Sequence, residues 1–135
     1  MKFVCLGYFD PQKFEAMTET DRNAMFDECL AYDDSLQKRS HWASGEALQP
    51  HTTAKTIRWK NGKVAVTDGP FAETREQIGG ILLLEARDLD QAVELMSQHP
   101  AVRFNSTFEI RPVGDMTEIV RASEQRRAKA KPVAR

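Results

Sequence analysis

The segment Ile78–Ala86, reading Ile-Gly-Gly-Ile-Leu-Leu-Leu-Glu-Ala, constrains the fold more than any other stretch of this chain. It is far too short to cross a bilayer. A short apolar run bounded by polar residues reads as a strand. Side chains alternate across a strand, so Ile78, Leu82 and Leu84 lie on one side and Ile81 and Leu83 on the other. Both sides are apolar, and both need a cover. The rest of the chain must supply one on each face, or a second molecule must supply what is missing.

Two amphipathic helices can supply one cover. Thr18 opens the first, with Asp21 three residues on in a capping-box-like arrangement. Met25, Cys29, Tyr32 and Leu36 then recur at helical spacing, widened by Phe26 and Leu30, and the helix should end near Arg39. Asp88 caps the second, whose buried face is Leu89, Ala92, Val93 and Met96, and Pro100 stops it. The strands fall between them. Lys2–Tyr8 is apolar and ends at Asp10-Pro11. His41–Leu48 reads as a second strand. Thr52–Lys60 and Val64–Thr67 flank Asn61-Gly62, a strong two-residue hairpin signal because both residues tolerate positive φ. Asp68-Gly69-Pro70 forces a turn. Phe104–Arg111 alternates as a half-buried last strand. The expected fold class is α+β, a ferredoxin-like β-α-β-β-β-α-β sheet with both helices on one face. The other face of the sheet would be covered by a second copy, giving a homodimer.

The length of 135 residues points to one domain. Charge divides it. Residues 118–135 hold six basic and two acidic groups, and the remainder 13 basic and 18 acidic, so a +4 tail follows a −5 body. We therefore expect a domain over 1–117 and a basic C-terminal tail over 118–135, frayed or extended. The acidic body would repel a phosphate backbone, which argues against nucleic acid as the partner. Cys5 and Cys29 lack metal-ligand spacing, and Met1-Lys2-Phe3-Val4 runs straight into strand pattern without a leader. A cytoplasmic protein with free thiols, away from membranes, is the expectation. Neither a cofactor nor a metal is called for.

The run Val66-Thr67-Asp68-Gly69-Pro70-Phe71-Ala72-Glu73-Thr74-Arg75-Glu76-Gln77-Ile78-Gly79-Gly80 closely resembles the signature of the DGPF family, related to the YCII-like proteins. Gly45-Glu46-Ala47-Leu48-Gln49-Pro50 and Glu109-Ile110-Arg111-Pro112-Val113 are similar to the segments that flank it there. The resemblance spans residues 1–115. It implies a ferredoxin-like domain pairing into a dimeric α+β barrel, a fold similar to that of muconolactone isomerases and small cofactor-free monooxygenases. Members of the family often accompany sigma factors of the extracytoplasmic-function type. The broader YCII group commonly carries a His in the first helix and an Asp before the Pro that ends the second, suggested to act as an acid–base dyad. Matching those positions puts Cys29 in place of the His and His99 in place of the Asp, so this chain departs from that pair.

The candidate catalytic residues are Asp68, His41 and Glu46, strand-end carboxylates and an imidazole suited to proton transfer. Weaker candidates are Asp33, Cys29 and His99. Asp33 is out of place, a carboxylate within the apolar stripe of the first helix. It must be paired, raised in pKa or open to a cavity, or else sit at the stripe's edge beside Gln37. Cys29 and His99 could form a thiol–imidazole pair, or be an inert thiol and a partly exposed helix-end histidine. Asp68, Phe71, Glu73 and Arg111 are the candidate ligand-binding residues. Asp68 could also simply close an Asx-type turn, and Phe71 could pack in the core. Two functions stay open: a cofactor-free small-molecule-binding or acid–base enzyme domain, and a non-catalytic dimeric accessory or regulatory protein of sigma-factor-type transcription control.

Overall fold

The computed structural model describes residues 1–130. Strand β1 (Lys2–Phe9) leads through the short helix α1 (Pro11–Ala16) to the long helix α2 (Glu19–Lys38) and strand β2 (Trp42–Ala47). A 3-10 turn at His51–Thr53 precedes β3 (Lys55–Lys60) and β4 (Lys63–Asp68). Then come β5 (Gln77–Glu85), α3 (Leu89–Ser97), a second 3-10 turn (Pro100–Phe104), β6 (Thr107–Pro112) and α4 (Thr117–Lys129). The main sheet has four antiparallel strands in the order β2-β5-β1-β6, with β5 and β1 at its centre. This is the expected α+β, ferredoxin-like arrangement.

The helix starts follow their capping residues. The Thr18 hydroxyl accepts from the Asp21 amide at 3.1 Å, and the Asp88 carboxylate accepts from the Gln91 amide at 2.8 Å. Such a cap satisfies an amide that the helix itself leaves without a partner. The hairpin turns on Asn61 and Gly62, with φ of 54° and 77°.

Register fixes the two faces of the sheet. Phe3 pairs with Leu84, Cys5 with Leu82 and Gly7 with Gly80, while Ile110 and Phe108 of β6 stand beside Cys5 and Gly7. This inner face packs on Leu36 of α2 and on Ala92, Leu95 and Met96 of α3. The outer face carries Val4 opposite Leu83 and Leu6 opposite Ile81. On this face Ile81 is 40% exposed, while Val4, Leu6 and Leu83 are half-buried.

Four expectations need correction. The β3–β4 hairpin does not join the main sheet but forms a separate two-stranded one. Asp10-Pro11 does not merely end β1; the Asp10 carboxylate caps α1 with Pro11 at its first position, where the missing N–H costs nothing. The last strand starts at Thr107, because Pro100–Phe104 winds into a 3-10 turn that Asn105 closes with a φ of 68°. The tail expected to be frayed or extended is helical over Thr117–Lys129, and residues 131–135 of it lie outside the described part.

Leu36 is fully buried between the helices and the sheet. Leu36→Ala should lower unfolding stability by about 2–5 kcal/mol, read as a shift of the urea midpoint at unchanged slope. In contrast, α4 has no buried residue. Deleting residues 121–135 should leave the melting temperature unchanged within error, and a fall of several degrees would mean that the helix is docked.

Candidate acid–base site

Asp33 and His99 meet. His99 Nε2 lies 2.9 Å from Asp33 Oδ1, and no other candidate pair comes together in this way. Local structure sets both groups. Asp33 stands one turn before Leu36 on α2, so the residue that anchors the helix to the core also turns Asp33 toward the same side. His99 follows α3 and caps the next turn, its Nδ1 accepting from the Ala101 amide at 3.2 Å.

That second bond decides the tautomer. A nitrogen that accepts from an N–H has its lone pair there, so the neutral ring carries its proton on Nε2 and donates it to Asp33. Both ring nitrogens are then occupied. Two aromatic rings hold the imidazole edge-on, Tyr32 at 5.4 Å and Phe108 at 5.2 Å between centroids. The Tyr32 hydroxyl is itself tied down, donating to the Leu95 carbonyl at 2.5 Å. Beneath Phe108 lies Gly7, where a Cβ would come within 3.1 Å of the ring. A side chain at that position would require Phe108 to give by a few tenths of an ångström.

The two members differ in access. The His99 side chain is 8% exposed and that of Asp33 21%. Asp33 Oδ2 has no hydrogen-bond partner among the described residues. The group left free to meet a small molecule is therefore a carboxylate oxygen, with a buried imidazole fixing the orientation of its carboxyl group.

Cys29, one turn before Asp33, does not pair with His99. Burial pushes its thiol up to about 11, helped by the carboxylates of Asp33 and Glu28 and opposed by the Arg103 guanidinium and the Ala101 amide. An electron-rich, partly buried setting of this kind makes an inert thiol. His99 is buried, not the partly exposed helix-end residue expected, and Asp33 finds His99 in place of Gln37.

The other candidates are dispersed. His41 Nδ1 lies 2.8 Å from the Glu85 carbonyl at one end of β2, while Glu46 is exposed near the other end, on the outer face. Asp68 is not in an Asx-type turn; its side chain is 86% exposed and pairs with Lys55 across the hairpin. Gly69 takes the φ of 96° that the turn requires, and its amide donates to Ala54 at 2.7 Å. Phe71 is not packed in the core but 79% exposed, with the Arg58 guanidinium 5.4 Å above its ring. Glu73 is exposed as well, and Arg111 binds Glu109 at 2.5 Å instead of countering Asp68 or Glu73. A recess of about 250 Å³ does lie at this turn, lined by Pro70, Leu48, His51, Gln77 and Ile78 among others. Neither Asp33 nor His99 borders it. Among the described residues no three His, Cys, Asp or Glu side chains cluster in a way that could hold a metal ion, and no helix is long and apolar enough to cross a membrane.

Comparison with known proteins places the fold and the family of the chain. A solved structure of 5-chloro-2-hydroxyhydroquinone dehydrochlorinase from Burkholderia phenoliruptrix, in complex with 2,5-dihydroxybenzoquinone, superposes with a TM-score of 0.52 over 87% of this chain and 98% of that one. At 14% identity the likeness is one of fold. An uncharacterised protein of Rhizobium meliloti is 31% identical over 122 residues, covering 84% of this chain and 92% of the relative. The model of the YCII-related domain matches residues 1–117. With that match over most of its length, the chain belongs to the YCII-related family.

Proposed function

We propose that this protein is a cofactor-free acid–base catalyst acting on a small organic molecule, with the Asp33 carboxylate exchanging the proton and His99 as its positioning residue. The observation that carries this reading is the 2.9 Å contact between the two, made by an imidazole whose other nitrogen is already bound to Ala101. A largely buried polar pair costs desolvation and gives little net stability, so its use is better sought in chemistry than in folding. A carboxylate in a fixed direction can take a proton from an acidic C–H or O–H and return it to another atom of the same molecule. The dehydrochlorinase named above holds a dihydroxybenzoquinone on this fold, which makes small hydroxylated and enolisable rings the first compounds to try. A purely accessory role would leave the pair without employment. The working unit in this reading is a homodimer in the cytoplasm, the second copy covering the outer face of the sheet.

The test is proton exchange in D2O, followed by NMR, on a panel of small enolisable ring compounds that includes 2,5-dihydroxybenzoquinone. Asp33→Asn should keep the fold, since an amide oxygen can still accept from His99, and should lower the exchange rate by about 10²–10⁴-fold. His99→Asn should lower kcat by a smaller factor and leave KM unchanged, as the carboxylate stays but loses its orientation. Full exchange activity in Asp33→Asn would sink the proposal.

Cys29 should take no part. With its pKa raised to about 11, about one thiol in 10⁴ is ionised at pH 7, so the folded protein should resist iodoacetamide at neutral pH. Cys29→Ser should alter stability and leave exchange unaffected. Rapid alkylation of Cys29 at pH 7 would return the thiol to the site.

A further inference from the structure

The turn that carries the Asp-Gly-Pro-Phe run is braced by its neighbours. The Gly69 amide donates to the Ala54 carbonyl at 2.7 Å, and the Thr56 hydroxyl donates to the Gly69 carbonyl at 2.8 Å. The Leu48 amide donates to the Gly79 carbonyl at 2.9 Å. The segment between β2 and β3 is thus tied to the end of β4 on one side and to β5 on the other. The recess of about 250 Å³ is lined from these same segments, so its walls are held before anything enters. A ready-formed site loses little ordering entropy on binding. An apolar cavity of about 150 Å³ already holds a benzene ring, so this one has room for a single ring with its substituents.

The lining sets the chemistry. Leu48, Pro50, Ala54, Pro70 and Ile78 give apolar walls, and no carboxylate, lysine or arginine is among the lining residues. The Thr53 hydroxyl donates to the Pro50 carbonyl at 2.8 Å, and Gln49 is open to solvent. Gln77 and His51 remain. Gln77 is only 8% exposed. Its Nε2 donates to the Ala72 carbonyl at 3.1 Å and to the Thr74 carbonyl at 2.8 Å, both in a loop that does not border the recess. Carbonyls only accept, so the amide can stand only this way round. Its Oε1 is turned from the loop and has no partner among the described residues. That oxygen is not sealed off, since every enclosed side-chain polar atom has a partner. On a residue this buried, the side left open is the one that lines the recess. The His51 ring, which lines it too, is likewise without a hydrogen bond.

We propose that this recess is a second ligand site, which takes a small neutral ring bearing a phenolic hydroxyl. The hydroxyl donates to Gln77 Oε1, and the ring lies among Leu48, Pro70 and Ile78. The His51 imidazole has one donor and one acceptor nitrogen to offer the ligand's polar edge. A fixed acceptor in a largely dry setting gains most from a donor, because leaving it unpaired costs its full desolvation. An anion would set its own oxygens against Gln77 Oε1 with no cation to offset them. The site goes beyond the acid–base reading, since neither Asp33 nor His99 borders it.

The experiment titrates phenol into the nitrogen-15-labelled full chain and follows the amide signals by NMR. Shifts should centre on His51, Ala54, Gln77 and Ile78 and half-saturate at about 1 mM, as fits a ligand of so few atoms. Anisole keeps the ring but cannot donate, and should bind about 10-fold more weakly. Benzoate should leave these amides unmoved. Ala54→Leu fills the recess and should abolish the shifts. His51→Leu removes a ring that holds nothing else in the fold, so it should keep the wild-type spectrum away from the recess and weaken phenol severalfold. Anisole or benzoate binding as tightly as phenol would overturn the proposed chemistry. Shifts that centre on Tyr32, Asp33 and Ala101, that persist in a folded Ala54→Leu, or that never saturate would overturn the second site and leave the acid–base reading to its own test.

Discussion

The packing of α2 and α3 on the inner face of β1 and β5 is the constraint from which the rest follows. Leu36 and Met96 are the points of attachment, both at the limit of burial. Asp33 precedes the first by one turn and His99 follows the second by three residues, so the core contacts that dock the helices also aim the two polar groups at each other. A shift of either helix by a fraction of a turn would part them. Interiors are packed densely enough that such shifts are resisted. The geometry of the site is therefore a consequence of hydrophobic packing, and the hydrogen bond between Asp33 and His99 is its final adjustment. No buried side-chain polar atom is left without a partner among the described residues.

How much of this was legible in the sequence depended on range. Signals that act within one turn or one hairpin were readable: Thr18 with Asp21, Asp88 with Gln91, Asn61 with Gly62. Signals that open one element while closing another were read in one sense. Asp10-Pro11 and His99-Pro100 looked like terminators, yet each also starts a helical turn, because a proline that cannot continue a helix fits well at the first position of the next. The hairpin's separation from the main sheet had no local mark. Strand composition says that a segment is extended and not which edge it joins.

The candidate site shows the same division. Asp33 was visible as a carboxylate inside an apolar stripe, and His99 as a residue at a helix end. Their pairing was not visible, since 66 residues separate them. The most conspicuous motif drew attention to Asp68, whose side chain is open to solvent and bound to Lys55. A glycine with positive φ followed by a proline is a strong constraint on backbone, so the Asp-Gly-Pro-Phe run identifies the turn and the family. The chemistry needs enclosure and a fixed partner, and Asp68 has little of either. The misplaced polar residue on an apolar stripe was the signal that pointed toward a pair the structure does bring together, because burying such a residue requires a partner.

That pair has a direction. An imidazole on the first helix with a carboxylate behind it, as the family resemblance implies for the broader group, would present a ring nitrogen to the ligand. Here the carboxylate is on the first helix and the imidazole at the end of the second. The Ala101 amide occupies the inner nitrogen and Asp33 the outer one, so the ring has nothing left to offer, while the carboxylate keeps one oxygen free. Exchanging the two residue types between the helices thus changes which group keeps a free atom and not merely which helix holds it. A carboxylate oxygen acting as base suits substrates whose C–H or O–H is already acidic, as in hydroxylated and carbonyl-bearing rings, better than it suits unactivated ones.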